Sequence, residues 1–229
     1  ILIGVMSTVQ NKYNDTISIN KEKIKARLMV EGLEMRFEKL NKGKRKAIST
    51  LPAENFKLER KIAKRANQEN ISIDCYEIRP KIYYENFDRP AIRNFLDNNN
   101  DTLNYQNTAM PPNGVVNFDR FTGPMFIWRD YCGVATESLI KESTTPCAPN
   151  SVVVVTFYGE SGRGSHDLPW EIRDGNRNYK NNLEPYLEKR FAQEGWLCLW
   201  SHPYVTNSCM LMMAFTNTRK AYNFLNNDN

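Results

Sequence analysis

Ala26, Met29, Val30, Leu33, Phe37 and Leu40 recur at three- and four-residue spacing, so one apolar stripe runs along a segment whose other face is charged. The spacing predicts a helix over 20–42, with Asn20 as N-cap, Glu22 near the positive helix end and Gly43 as the stop. A basic turn, Lys44-Arg45-Lys46, follows. A second helix is predicted from Thr50, with Pro52 in its first turn, through Phe56, Ile62, Ala63 and Ala66 to Gln68. Together the two read as a basic helical hairpin.

From Ile71 the period shortens to two. Ile71, Ile73 and Cys75 alternate with Ser72 and Asp74, which predicts a strand. Pro80 interrupts the pattern before Ile82-Tyr83-Tyr84. A short helix is predicted over 90–96, capped by Asp88 and ended by the Asn98–Asn100 run. Residues 104–124 read as a loop region, with Pro111-Pro112-Asn113-Gly114 and Thr122-Gly123-Pro124 as its breakers. Met125–Tyr131 is a short apolar aromatic segment, 134–141 is predicted helical, and 151–158 is a strand. A helix over 182–194 ends at Gly195, two apolar strands occupy 196–200 and 209–215, and a last helix covers 218–225. The expected fold is α+β and helix-rich. Its N-terminal arm (residues 1–70, an apolar start and the basic hairpin) packs on a mixed α/β body (residues 71–229).

The strand at 151–158 runs into a glycine-rich turn, an arrangement that mounts both phosphate loops and nucleophile elbows. Gly159 and Gly164 have the phosphate-loop spacing, but Ser165 and His166 stand where a Lys and a hydroxyl are needed. Gly159-Glu160-Ser161-Gly162 resembles the carboxylesterase turn, yet Arg163 replaces its closing glycine. A Ser161 nucleophile would take His202 as base, with Asp174 or Glu184 as acid, and the chain before Ser161 shows few parallel-strand signals. A degenerate serine hydrolase is therefore an alternative rather than the main reading, and no catalytic, cofactor-binding or metal-ligating residue is assigned.

Charge is divided along the chain. Residues 1–70 carry +8 and residues 71–229 carry −3, for the net +5. Lys42, Lys44, Arg45, Lys46, Lys57, Arg60, Lys61, Lys64 and Arg65 could neutralise phosphates, which makes a basic nucleic-acid-binding protein a second alternative. Cys75, Cys132, Cys147, Cys198 and Cys209 form no Cys-x-x-Cys pair, so they suggest up to two internal bridges plus one intermolecular thiol, or else five buried reduced thiols, rather than zinc ligation. No run of eighteen apolar residues is present, so no membrane partner is expected. The chain starts without Met, and its apolar start (Ile1, Leu2, Ile3, Val5 and Met6) reads as an assembly arm reaching a neighbouring copy.

Asparagine makes up 27 of the 229 residues, which fits AT-rich coding. With that composition, the spare cysteines and the complementary charged halves, the chain is similar in kind to polyhedrins, the occlusion-body matrix proteins of large insect DNA viruses, nudivirus-like. Phe121-Thr122-Gly123-Pro124 resembles a string near the end of baculovirus polyhedrins. The resemblance implies a non-enzymatic structural protein that self-assembles into a crystal in the nucleus of an infected cell. It implies itself and the virion surface as partners, no cofactor, and dissolution at alkaline pH. Deprotonating 16 Lys and 11 Tyr near pH ~10 would turn attraction between copies into repulsion.

Overall fold

Val152-Val153-Val154-Val155 sits at the centre of the molecule because a strand buried on both faces needs an unbroken apolar run. The computed structural model describes residues 3–52, 56–111, 122–159, 167–173, 179–205 and 208–227. Along the chain these form α1 (Ile3–Leu40), β1 (Lys46–Thr50), α2 (Lys57–Glu69), β2 (Ile71–Tyr76), α3 (Pro80–Asp88), α4 (Pro90–Asp97) and β3 (Leu103–Gln106). There follow β4 (Met125–Gly133), α5 (Glu137–Ser143), β5 (Val152–Tyr158), α6 (Trp170–Arg173), α7 (Tyr179–Gln193), β6 (Leu197–Val205), β7 (Cys209–Thr216) and α8 (Arg219–Asn226).

The strands make one seven-stranded sheet in the order β3-β2-β1-β4-β5-β7-β6. Neighbours from β3 through β5 are parallel, whereas β7 runs antiparallel between β5 and β6. Alternation along β5 splits the interior into two cores. Val152 and Val154 join Ile48, Phe126 and Ala214 beneath Val30, Leu33 and Phe37 of α1, Ile62 of α2 and Leu225 of α8. Val153 and Val155 join Ala47, Ile127, Met213 and Phe215 beneath Leu183, Leu187 and Phe191 of α7. The result is a three-layer α/β architecture, with helices on both faces of a mostly parallel sheet.

The helix-rich α+β expectation is thereby corrected to α/β, and the hairpin with it. Lys46–Thr50 is the third strand of the sheet, paired with β2 and β4, and it stands in sequence between the two helices, which lie on the same face of the sheet and meet through Lys61–Glu31 and Arg65–Glu34. The apolar stripe of α1 is buried as its spacing predicts, and Gly43 ends the turn beyond the helix at φ 76°, which favours glycine. The helix starts at Ile3 rather than at Asn20. Ile3, Val5 and Met6 thus belong to the first turns of α1, while Ile1 and Leu2, and all side chains before Lys21, lie outside the described residues. Pro80, read as an interruption, opens α3, where its missing N–H costs nothing. The sequence suggested few parallel strands before Ser161; five are present.

Candidate functional site

Parallel strands send all their carboxyl ends to one edge of the sheet. At the border between β1 and β4 the chain changes direction of travel, toward β2 and β3 on one side and toward β5 on the other. Connections leaving in opposite directions open a crevice there, the place where open α/β sheets bind ligands. The residues delivered to this edge are Thr50 from β1, Glu77 after β2, Asn107 after β3, Arg129 to Tyr131 from β4 and Gly159 after β5.

Glu77 is the best-organised of them. Its backbone N–H donates to the Gln106 carbonyl (3.0 Å), and its own carbonyl accepts from Asn107 Nδ2 (2.7 Å). Arg79 Nε and Nη2 grip its two carboxylate oxygens at 2.8 and 2.9 Å, and the Arg79 backbone N–H adds a third bond at 2.9 Å. Burial alone would raise the carboxyl pKa; these bonds and the guanidinium charge outweigh it and hold the group below its ordinary value. The side chain is a fixed carboxylate at the end of the second strand.

Beside it, Glu59 in the first turn of α2 accepts a hydrogen bond from Thr50 Oγ1 (2.7 Å), and the same hydroxyl lies 3.7 Å from Cys75 Sγ. Burial pushes Glu59 upward, opposed by the Thr50 bond. At the end of β4 the buried Arg129 donates Nη2 to the Pro111 carbonyl (2.7 Å) and Nη1 to Tyr131 Oη (3.3 Å). The pairing of β4 with β5 slips between Asp130 and Gly133, an irregularity that re-aims side chains at a sheet edge. Phe56 leads the chain into α2 at φ 51°, buried edge-on against Tyr105 (5.0 Å).

The flagged turn 159–166 follows β5 at this same edge, but only Gly159 belongs to the described residues. Its N–H donates to the Cys209 carbonyl (2.8 Å). Ser161, His166 and Asp174 lie outside them. His202 sits on β6 beside Lys25 of α1, with burial and that charge lowering its pKa, whereas Glu184 belongs to α7 on the opposite face. The sheet separates His202 from Glu184, so that pairing fails, whereas the alternative with Ser161 and Asp174 falls outside the described residues. Asp167 caps α5 by accepting the Glu137 N–H (2.9 Å).

The basic patch is also dispersed. Lys44 and Arg45 line a cleft with Thr122, Gly123 and Pro124 before the amino ends of β1 and β4, away from the carboxyl edge, and Lys46 is buried. Lys61 pairs with Glu31 (2.5 Å), and Arg65 with Glu34 (2.5 Å) and Glu38 (2.8 Å). Arg60 lies over the Phe95 ring. Cys75, Cys147, Cys198 and Cys209 are thiols rather than disulfides, and the Cys132 side chain is not described. Burial raises Cys147 and Cys198 to about 12, which leaves them protonated and unreactive.

No protein-family model and no curated protein matches the chain. Solved structures do. The methyltransferase domain of a bacterial Hen1 (CtHen1) superposes with a TM-score of 0.50 at 12% identity, over 86% of this chain and 99% of that one. A protein described as an rRNA methylase from Clostridium thermocellum gives 0.48 at 12% identity, over 78% and 89%. One described as a sarcosine dimethylglycine methyltransferase from Galdieria sulphuraria gives 0.49 at 13%, over 83% and 85%. The first of these shows the fold: the chain shares the α/β fold of that methyltransferase domain. The expectation of a non-enzymatic polyhedrin, with its occlusion-body function, is overturned by this shared fold. Its four-residue string carries no weight, since Thr122, Gly123 and Pro124 merely lead into β4.

S-adenosylmethionine has a nucleoside half and a charged methionine half. A carboxylate after the second strand suits vicinal ribose hydroxyls, and Glu77 supplies one already oriented. The sequence between β1 and α2, residues 51–56, holds no glycine, so side chains are the groups on offer for the second half. The residues present fit the cofactor on those terms. Sequence reasoning missed both glutamates. Glu77 directly follows a strand that was read correctly, and only knowing that this strand lies next to the switch point would have singled it out.

Proposed function

We propose that this protein is an S-adenosylmethionine-dependent methyltransferase whose cofactor occupies the crevice at the carboxyl ends of β1, β2 and β4. The observation that carries the reading is the oriented Glu77 carboxylate at the end of β2, in a sheet ordered β3-β2-β1-β4-β5-β7-β6. Glu77 would bind the ribose hydroxyls and Arg79 would keep it ionised. Asp130 and Tyr131, brought to the same edge by β4, would face the acceptor. When bound, the cofactor supplies a methyl group activated by its sulfonium. The CtHen1 domain and its neighbours support the reading through their shared fold.

Photo-crosslinking of methyl-tritiated S-adenosylmethionine tests it. Label should be incorporated, and excess S-adenosylhomocysteine should suppress it. Glu77→Ala should reduce it by about ten-fold or more, the loss expected for a charge-assisted hydrogen bond. Labelling that survives both the competitor and a folded Glu77→Ala variant would refute the assignment.

A further inference from the structure

Five glutamates are buried: Glu31, Glu34, Glu38, Glu59 and Glu77. Four have a cation against them. Glu31 meets Arg27 and Lys61, Glu34 and Glu38 share Arg65, and Glu77 has Arg79. Among the described residues Glu59 alone makes no ion pair, although it is only 2% exposed. Its single side-chain partner is the Thr50 hydroxyl. An uncompensated buried acid costs stability, and a fold that needed only to fill this position would do better with an apolar residue. Acids of this kind concentrate where a ligand completes them.

The position is specific. Thr50 is the last residue of β1, at the switch point, and Cys75 is the last but one of β2. Glu59 stands in the first turn of α2, just past residues 51–56, whose sequence holds no glycine. The nucleoside half already has its carboxylate in Glu77. What lacks a partner is the cationic methionine half, and what lacks a cation is Glu59.

We propose that Glu59 receives the α-ammonium group of the cofactor's methionine half, in place of the contacts a glycine-rich loop would make; the assignment rests on the methyltransferase reading. Thr50 positions the carboxyl by donating to Oε1. In the free protein burial raises the carboxyl's hold on a proton. Arrival of the ammonium favours the carboxylate.

Calorimetric titration separates the possibilities, using S-adenosylhomocysteine, which keeps the ammonium, and 5′-methylthioadenosine, which lacks it. Wild type should bind both. Glu59→Gln should weaken S-adenosylhomocysteine by about ten-fold or more and leave 5′-methylthioadenosine unchanged. Glu59→Asp, which keeps the charge, should restore part of the lost affinity. Thermal melts of both variants check folding, and Glu59→Gln should melt no lower than wild type. Unchanged S-adenosylhomocysteine affinity in Glu59→Gln, or equal weakening of both ligands, would overturn the assignment of Glu59 alone. Failure of wild type to bind either ligand would overturn the methyltransferase reading, and this inference with it.

Discussion

Arg65 reaches from α2 to two glutamates on α1, and one guanidinium cannot fully neutralise two carboxylates. Glu34, the more buried, yields: burial and the neighbouring Glu38 raise it to about 9. Burial would raise Glu38 too, but bonds from Glu34 and Arg65, with the Lys46 charge, hold it below its ordinary value. The sign of the pH dependence follows. A carboxyl raised in the folded state binds its proton more tightly there than in the unfolded chain. The stability it contributes is full below the unfolded pKa and is lost as pH rises toward about 9. Urea denaturation should therefore show wild type losing stability between pH 5 and 9, with Glu59 adding in the same direction. Glu34→Gln should flatten that slope, and an unchanged slope would contradict the assignment of the proton to Glu34. Arg65→Ala removes the guanidinium that bridges Glu34 and Glu38 and should cost about 1–3 kcal/mol by the same measurement.

Among the elements, β7 is the one that the antiparallel insertion makes essential. It closes the gap between β5 and β6, and its Phe215 ring stacks on Phe191 of α7 at 3.8 Å between centroids. Phe215→Ala should cost about 3–5 kcal/mol, visible as a lowered midpoint of chemical denaturation. A loss under about 1 kcal/mol would mean the contact is not part of the packed core. Elements with one buried face were legible in the sequence. The stripe of α1, the alternation of β2, the valine run of β5 and the last helix, read over 218–225 and found as α8, all gave their residues away. β1 did not. It is buried on both faces, yet three of its five residues are Lys46, Ser49 and Thr50. Tertiary partners satisfy them: Lys46 Nζ donates to the Asn41 carbonyl, and Thr50 donates to Glu59. No local pattern announces a polar central strand, and losing β1 concealed the sheet order and the switch point with it. β3 is only four residues long, and β4 carries Arg129 and Asp130 within an apolar run, so both were hidden for the same reason.

At the scale of the whole molecule, part of the charge divided along the chain becomes contacts within one helical layer. Lys61 and Arg65 of α2 meet the α1 glutamates inside residues 1–70. Of the glycine turn flagged after β5, only Gly159 lies among the described residues, at the edge where the parallel strands end. The central claim is that this edge binds S-adenosylmethionine, and a crystal structure with S-adenosylhomocysteine tests it most directly. The account predicts nucleoside density beside Glu77 at the ends of β1 and β2, with the amino-acid half directed toward Glu59. Density elsewhere on the protein, or an unaltered edge in crystals grown with saturating ligand, would contradict it.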